Sequence, residues 1–484
     1  MSSNGITKVL ILQAREEAMT IFYQPSSAWA ADFIPFYQDG VFHLFYLHDW
    51  RDPAHFGEGT PWYLLRTRDF IHFEERGEVL ARGGPEEQDL YVFTGSVMQA
   101  QDGRYHIFYT GHNPHLRRAG RPEEAVMHAV SDDLLRWRKL PEHTFFAPAP
   151  DYEPHDWRDP FVFWNEEAGE YWMLLAARLN AGPARRRGCT ALCASRDLIH
   201  WEARPPFYAP GLYFTHECPD LFRMGEWWYL VFSEFSEGSV TRYRMSRSLM
   251  GPWMAPAVDT FDCRVHYAAK TASDGRRRFL FGWNATRQGE KDDGAWQWGG
   301  SLVVHELVQR PDGTLGVRMP EEIRAAFNRA GGEGDRQRLS APGGFAVFAA
   351  GQLPERGRAA LLEAAITYQA GSRALGLWVR GGADLEQTYF LRIEPDRGRL
   401  VFDRWPRPGD QPFQVESERP LALIPGQPVR MEVLVEGSVL VAYVNGETAL
   451  SYRLYELDGA LWGGFVQQGE AEFREVRGGF SSTI

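Results

Sequence analysis

Gly40-Val-Phe-His-Leu-Phe-Tyr46 is the first copy of a phrase that decides the fold, a glycine turn followed by an aromatic-rich apolar run. Short apolar runs bounded by turn residues are typical of buried strands. The phrase returns as Gly103-Arg-Tyr-His-Ile-Phe-Tyr109, Gly169-Glu-Tyr-Trp-Met-Leu-Leu175 and Gly225-Glu-Trp-Trp-Tyr-Leu-Val231, and more weakly at residues 275–282. The first two thirds of the chain are therefore predicted to repeat one small β-sheet.

A second phrase follows each of the four clear copies. It reads Arg68-Asp-Phe-Ile-His-Phe73, Ser131-Asp-Asp-Leu-Leu-Arg-Trp137, Ser195-Arg-Asp-Leu-Ile-His-Trp201 and Ser246-Arg-Ser-Leu-Met-Gly-Pro-Trp253. Units of this length with almost no helical periodicity indicate a β-propeller better than a long β-sandwich or a β-helix. We predict an all-β chain that begins with a five-bladed β-propeller catalytic domain over residues 20–325.

The repeat stops after Pro320, and the glycine-rich residues 331–334 are typical of a linker. Alternating strands follow, among them Ala374-Leu-Gly-Leu-Trp-Val379 and Val429-Arg-Met-Glu-Val-Leu-Val435, and Asn445-Gly446 signals a hairpin. Residues 335–484 are predicted to form a C-terminal β-sandwich domain.

Composition narrows the possible partners and the compartment. A formal net charge of -12 argues against nucleic acid as a partner. No stretch approaches the ~20 apolar residues of a membrane helix, and the apolar run at residues 9–12 is too short for a signal-peptide core. Four cysteines in 484 residues fit a reducing compartment. We expect a cytoplasmic protein without a nucleic-acid or membrane partner, and the sequence leaves its oligomeric state open.

Three acidic residues recur at the start of inner strands. Asp32 and Glu217 stand eight residues before the glycine of their repeat and Asp159 stands ten before. Since the first strand of each blade lines the central channel, we predict that the three carboxyls share a pocket, where burial and like charge raise at least one pKa. Glycoside cleavage uses one ionised and one protonated carboxyl. A calcium or other cation held on the axis by the three acids is the alternative.

Other candidates carry weaker signals. His216 and His266 are either site residues or packed strand histidines. Trp296 and Trp298 either form a sugar platform or close the fifth blade.

No phosphate-binding loop, dinucleotide fingerprint or serine-nucleophile motif occurs in a suitable setting. Cys189 and Cys193 stand four apart without clustered histidines, which argues against a zinc site. Neither a cofactor nor a metal is expected.

The order of Asp32, Phe93-Thr-Gly-Ser96, Arg158-Asp159-Pro160, Glu217-Cys218 and Trp298-Gly299-Gly300 resembles glycoside hydrolase family 32. This family contains β-fructofuranosidases, invertases, inulinases and levanases, and the likeness runs from about residue 20 to the end. It implies a retaining glycosidase that cleaves fructofuranosyl linkages in fructose-containing oligo- or polysaccharides by double displacement.

The resemblance also implies a role for each acid. Asp32 would be the nucleophile, Glu217 the acid/base, and Asp159 would hold sugar hydroxyls and stabilise the transition state. Retention requires the carboxyls of Asp32 and Glu217 to lie roughly 5–5.5 Å apart. The carbohydrate would lie against residues Trp29, Phe56, Phe93, Thr94, Arg158, His216 and Trp298.

The sequence departs from the family around its nucleophile. The family's Trp-Met-Asn-Asp-Pro-Asn-Gly phrase is Trp29-Ala-Ala-Asp-Phe-Ile-Pro35 here, so Ala31 stands where the family has asparagine. Leu47 stands where it has glutamine at the end of the next strand. Three alternatives stay open: a glycosidase or transglycosylase of another furanoside, such as an arabinofuranoside or a cyclic difructose; an inverting five-bladed arabinosidase or xylosidase; and a non-catalytic carbohydrate-binding propeller.

Overall fold

A computed structural model describes residues 19–328, 336–382, 385–407 and 417–481. The apolar run at residues 9–12 and the predicted linker at residues 331–334 lie outside these ranges. Within them the chain consists mostly of antiparallel strands, as predicted. No helix in these ranges is long and apolar enough to cross a membrane.

The N-terminal part of the chain is a series of five strand groups. The first is β1 Trp29–Gln38, β2 Val41–Asp49, β3 Trp62–Thr67 and β4 Phe73–Leu80, with the short helix α1 Pro53–Phe56 after β2. The second is β5 Tyr91–Gln99, β6 Tyr105–His112, β7 Glu124–Ser131 and β8 Arg138–Lys139. The third is β9 Tyr152–Asn165, β10 Glu170–Leu179, β11 Gly188–Ser195 and β12 Glu202–Tyr208. The fourth is β13 Glu217–Met224, β14 Trp227–Glu234 and β15 Val240–Ser246. The fifth is β16 His266–Ser273, β17 Arg278–Arg287, β18 Trp296–Gln309 and β19 Leu315–Arg318, followed by helix α2 Glu321–Ala325. Single 3-10 turns lie at Leu116–Ala119, Pro141–His143 and Gln288–Glu290.

The first and fifth groups join into one eight-stranded sheet. The joint is the antiparallel pair Ala30–Gly300 between β1 and β18. Only glycine fits there, because a Cβ on Gly300 would lie 1.8 Å from the carbonyl oxygen of Asn284. Hydrogen bonding therefore defines four sheets in this region, and the count of five blades stays a prediction.

The second repeated phrase forms a turn of one design. Asp69, Asp133 and Asp197 each accept the backbone N–H groups of the residues two and three positions further on. The residue after each aspartate has φ between 62° and 64°. An aspartate that bonds to its own backbone in this way stabilises a tight turn. This shared chemistry explains the recurrence of the phrase.

The C-terminal part is an eleven-stranded sheet of the β-sandwich type. Its strands are β20 Phe327–Asn328, β21 Gln337–Gln352, β22 Ala360–Tyr368, β23 Ala374–Gly381, β24 Thr388–Glu394, β25 Arg399–Trp405, β26 Ser417–Pro420, β27 Val429–Glu436, β28 Val439–Val444, β29 Thr448–Arg453 and β30 Leu461–Ser481, with a 3-10 turn at Pro395–Arg397. The predicted hairpin joins β28 to β29, with φ of 54° at Asn445 and 62° at Gly446.

The two parts share a hydrophobic core. Buried residues of the first and fifth strand groups pack in one cluster with Leu434, Val441 and Tyr443 of the C-terminal sheet. The first predicted domain range ends at residue 325, the last residue of α2, and the second begins at residue 335, which is not described, so both boundaries stay predictions. The shared core holds the first and fifth groups in place, and those groups carry much of the site described next.

Candidate active site

The first strand of every group carries a β-bulge at a comparable place. A bulge bends its strand and turns the neighbouring side chains in a new direction. In four of these strands the bulge holds a non-glycine residue with φ between 45° and 57°. These residues are Asp32, Asp159, Cys218 and Ala268, and in β5 the register shifts at Thr94.

The bulges change one expectation about the repeat. Asp32 and Asp159 are equivalent, but Glu217 lies one residue before its bulge. Counting back to the glycine turn hid this offset, because the strand between bulge and turn differs in length among the groups. The counterparts of Glu217 in the other strands are Ala31, Arg158 and Tyr267.

The bulged strands border a cavity of about 580 Å³, and the three predicted acids all line it. Four further predicted residues line the same cavity: Phe93, Thr94, Arg158 and Trp298. Much of the remaining wall is aromatic, from Phe214, Phe235, Tyr267, Trp283 and Trp296. A concave aromatic wall with a few converging polar groups is the usual form of a small-molecule site.

Two donors from different strand groups fix the carboxyl of Asp32. The hydroxyl of Thr94 donates to Oδ2 at 2.5 Å, and the indole N–H of Trp283 donates to Oδ1 at 2.8 Å. Burial raises the pKa of Asp32 to about 6, and the charge of Glu217 adds to the rise. The two hydrogen bonds oppose it, because they favour the ionised form.

A different pair of donors fixes the carboxyl of Glu217. The hydroxyl of Tyr267 donates to Oε2 at 2.6 Å, and Nη2 of Arg158 donates to Oε1 at 3.0 Å. Tyr267 lies in β16 and Arg158 in β9. These are the first strands of the fifth and third groups, which come directly after and before the fourth group in the chain. The acid is thus held in one orientation at the cavity wall.

Asp159 is the most enclosed of the three acids, with 4 % of its surface exposed. The backbone N–H of Cys218 donates to its Oδ2 at 2.9 Å. Burial raises the pKa of Asp159 to about 7, and Glu217 and Asp32 add to the rise. The Arg158 guanidinium, with Nε 3.9 Å from Oδ2, opposes it. As predicted from the sequence, burial and like charge raise pKa values here.

Arg158 links the acids of the cavity. Besides Glu217, its guanidinium contacts Glu124 at 3.3 Å, Asp156 at 3.0 Å and the hydroxyl of Thr215 at 2.9 Å. These carboxylates hold its pKa well above the usual arginine range, against the effect of burial. Arg158 therefore keeps a full positive charge beside the acids and limits their mutual repulsion.

Three predicted residues do not line the cavity. His216 is fully buried, stacks on Phe232 at 4.4 Å and contacts the hydroxyl of Thr190 at 3.2 Å, so it packs between strands. Trp29 lies beneath the guanidinium of Arg51 at 4.1 Å. Phe56 is 40 % exposed and stacks on Trp50. The structure corrects the expectation of a site position for His216. Trp29 and Phe56 lie outside the cavity wall.

Tyr267 and Trp283 are functional candidates to which the sequence analysis assigned no role. They pair with each other across β16 and β17, and they hold Glu217 and Asp32 respectively. Aligning the fifth repeat on the bulge would have found Tyr267, because it occupies the position of Glu217. No signal in the sequence marks Trp283 as a partner of an acid 251 residues away.

Among the described residues, one group has the composition of a metal site: Asp262, His266 and His305, whose candidate ligand atoms lie within 4.8 Å of one another. The oxygens of Asp262 already accept hydrogen bonds from the N–H of Cys263, the N–H and hydroxyl of Ser451, and His305. His266 is 1 % exposed. We interpret the group as a buried polar link between the two parts of the chain, which makes His266 a packed histidine.

Fold and site together define a class. Two carboxyls, each held by its own donors, and a third buried acid line an aromatic cavity between propeller-type sheets. This constellation suits glycoside hydrolysis, in which one carboxyl gives a proton and another attacks or stabilises the sugar.

Comparison with known proteins identifies the family. Residues 22–312 match the model of the glycosyl hydrolases family 32 N-terminal domain, and residues 333–477 match that of the family 32 C-terminal region. The chain belongs to glycosyl hydrolase family 32 and is a glycoside hydrolase, as the sequence motifs predicted. Membership does not favour the arabinofuranoside, difructose or non-catalytic alternatives.

Relatives and solved structures agree with this family. The chain is 26 % identical to raffinose invertase of Escherichia coli over 87 % of this chain and 85 % of the relative. It is 26 % identical to fructan 1-exohydrolase of Aegilops speltoides, over 59 % of this chain and 51 % of that protein. Among structures, exo-inulinase from Aspergillus awamori superposes with a TM-score of 0.74 at 17 % identity, covering 96 % of this chain and 98 % of that one. Fructan 1-exohydrolase IIa from Cichorium intybus gives 0.72 at 16 %, with the same coverage. The structural likenesses establish the fold.

Proposed function

We propose that this chain hydrolyses fructofuranosyl linkages in fructose-containing oligo- or polysaccharides by retaining double displacement. The observation that carries the proposal is the separate fixing of two carboxyls at one cavity, Asp32 by Thr94 and Trp283, and Glu217 by Tyr267 and Arg158. Two carboxyls with different surroundings can hold different protonation states and take different roles.

In the first step Asp32 attacks the anomeric carbon of the fructosyl unit. The bond from that carbon to the leaving oxygen breaks, and Glu217 gives its proton to this oxygen. The hydrogen bonds from Thr94 and Trp283 keep Asp32 ionised above about pH 6 and aim it, so little reorganisation accompanies the attack.

In the second step Glu217, now ionised, takes a proton from water. The resulting hydroxide attacks the same carbon, the bond to Asp32 breaks, and fructose leaves with its original configuration. Asp159 bonds to ring hydroxyls and stabilises the positive charge of the oxocarbenium-like transition state. Its burial strengthens this interaction, since electrostatic effects grow as water is excluded.

The charge of the cavity bears on the substrate. Known relatives include a raffinose invertase and sucrose-6-phosphate hydrolases. Five carboxyl groups line this cavity against two guanidinium groups, and Arg158 is already committed to the carboxylates. An excess of negative charge repels phosphate. We therefore propose neutral fructosides as substrates, in preference to phosphorylated ones.

We also propose a cytoplasmic site of action. The four cysteines are free and buried, which suits a reducing compartment.

The roles are tested on whichever of sucrose, 1-kestose, inulin and levan the wild type cleaves. Asp32→Asn and Glu217→Gln are each expected to lower kcat by about 10³-fold or more. Proton NMR of the first-formed fructose reports the configuration, and release of the inverted anomer rules out double displacement. Wild-type rates on sucrose and sucrose 6-phosphate test the charge argument, which fails if the phosphorylated sugar has the higher kcat/KM.

A further inference from the structure

A second cavity adjoins the catalytic one. It measures about 400 Å³ and shares Phe93 and Trp298 with the first cavity. Residues of the segment between β2 and β3 form most of its wall, and Tyr91 completes it. Trp298, 38 % exposed, therefore stands between the two spaces. Its placement decides how far a molecule in the first cavity extends into the second.

Arg51 stands at the base of this partition in an unusual conformation. Its φ is 52°, a left-handed value that is uncommon for a residue with a side chain. The side-chain oxygen of Asp49 accepts the backbone N–H of Arg51 at 2.8 Å, which supports that turn. Backbone strain of this kind persists only where surrounding contacts enforce it, and it is frequent at functional sites.

The guanidinium of Arg51 ties the first strand group to the start of β18. It lies over the ring of Trp29 at 4.1 Å. It donates to the hydroxyl of Thr286 at 2.8 Å, to the side chain of Gln297 at 3.3 Å and to the carbonyl of Gly299 at 3.2 Å. It also donates to the carbonyl of Trp298 itself. A planar group with five donors suits such a multiple contact, whereas lysine offers one point charge.

From these contacts we infer that Arg51 is a specificity-determining positioning residue, which sets the Trp298 wall between the cavities and so selects substrates with a sugar unit beyond the cleaved bond. The inference rests on the proposed function. It deepens that function by naming what the second cavity receives, the neutral sugar on the leaving-group side.

The chemistry of the second cavity fits a neutral sugar. Its wall contains the aromatic rings of Trp50 and Tyr91 and the acids Asp49, Asp52 and Glu58. Aromatic faces cover the apolar side of a sugar ring, and carboxylates accept bonds from its hydroxyls. Arg51 itself is engaged by its partners, so a phosphate finds no free cation in this arginine.

The test uses Arg51→Ala and Arg51→Lys with three fructosides: methyl β-D-fructofuranoside, sucrose and 1-kestose. The methyl compound has no sugar on its leaving side, and Asp32 keeps Thr94 and Trp283 in both variants. We expect Arg51→Ala to lower kcat/KM for 1-kestose by about tenfold or more, mainly through KM, and to change that for the methyl compound by less than about threefold. The kcat/KM of Arg51→Lys for 1-kestose should lie between those of the wild type and Arg51→Ala.

Arg247→Ala is the matched control, because Arg247 also lies 4.1 Å over a tryptophan ring, that of Trp227, and lines neither cavity. Its kinetics should match the wild type. Equal losses on all three fructosides in Arg51→Ala overturn the inference in favour of general damage, and unchanged kinetics overturn it as well. A wild type that cleaves none of the three fructosides, and neither inulin nor levan, contradicts the proposed function itself, which is a separate outcome.

Discussion

The hydrogen bonds to Asp32 should set the acid limb of the pH–activity profile. Burial raises the pKa of Asp32 to about 6, while the bonds from Thr94 and Trp283 hold it down. A nucleophile must be ionised, so kcat/KM, which reports the free enzyme, should fall about tenfold per pH unit below about pH 6. Burial raises the pKa of Asp159 to about 7, so this acid also loses charge as the pH falls. The limb is therefore assigned to Asp32 by how it moves when a donor to Asp32 is removed.

Trp283→Phe removes the donor to Oδ1, and Thr94→Val removes the donor to Oδ2. A hydrogen bond to a charged group contributes about 1.5–3 kcal/mol, and one pKa unit corresponds to about 1.4 kcal/mol. Part of the loss is recovered when water or the remaining donor compensates, so we expect a rise of about one unit from each change. The direction is upward, because the lost bond stabilised the ionised form.

The assay measures kcat/KM on sucrose between about pH 4 and about pH 9. Trp378→Phe is the matched control: Trp378 is also buried, and its indole N–H donates to the carbonyl of Gly464 in the C-terminal sheet. Its acid limb should stay with the wild type. If the limb stays near pH 6 in both site variants, or moves downward, Asp32 is not the group that limits activity in acid.

Two stability predictions follow from buried charge. Burial raises the pKa of Asp159 to about 7, so its ionisation opposes folding increasingly as pH rises from about 4 to about 7. Asp159→Asn should then raise Tm by about 2 °C or more at about pH 8 and by little at about pH 4, and a loss of Tm at the higher pH contradicts this. Asp262→Ala leaves the N–H of Ser451 and His305 without their acceptor at the boundary between the two parts, so urea unfolding should show a loss of about 3–5 kcal/mol. The exposed acid Asp132, replaced in the same way, should change the free energy of unfolding by no more than about 0.5 kcal/mol.

Much of the fold was predictable from the sequence, because the repeated phrases form their turns through short-range hydrogen bonds. The turns at Asp69, Asp133 and Asp197 use contacts within three residues. Each copy of the phrase therefore contains all the residues that form its turn. The hairpin at Asn445 is local in the same sense. The joining of the first and fifth groups through Ala30 and Gly300 is not local, because these residues are 270 positions apart in the chain. No motif in the sequence predicted this pairing.

The site was predictable in its acids and not in the groups that orient them. Asp32, Asp159 and Glu217 follow from the spacing of the repeat, whereas their partners come from other strand groups. Tyr267 donates to an acid 50 residues earlier, and Trp283 to one 251 residues earlier. The expectation that His216 contacts the sugar failed because adjacency to Glu217 in the sequence does not predict the direction in which the His216 side chain points. Neighbours at a bulge point different ways, and His216 turns into the core.

The missing family residues now have a physical explanation. Ala31 and Leu47, which stand where the family has asparagine and glutamine, are fully buried and belong to the hydrophobic core. These substitutions do not leave the carboxyl of Asp32 without hydrogen-bond donors, because its two donors come from β5 and β17. Orientation of the nucleophile is thus independent of the residue before it. Neither Ala31 nor Leu47 lines the catalytic cavity, and both positions are filled by core packing. A variant that restores asparagine at Ala31 without enlarging the site should therefore lose stability through overpacking, by about 1–3 kcal/mol, before it gains affinity for any fructoside.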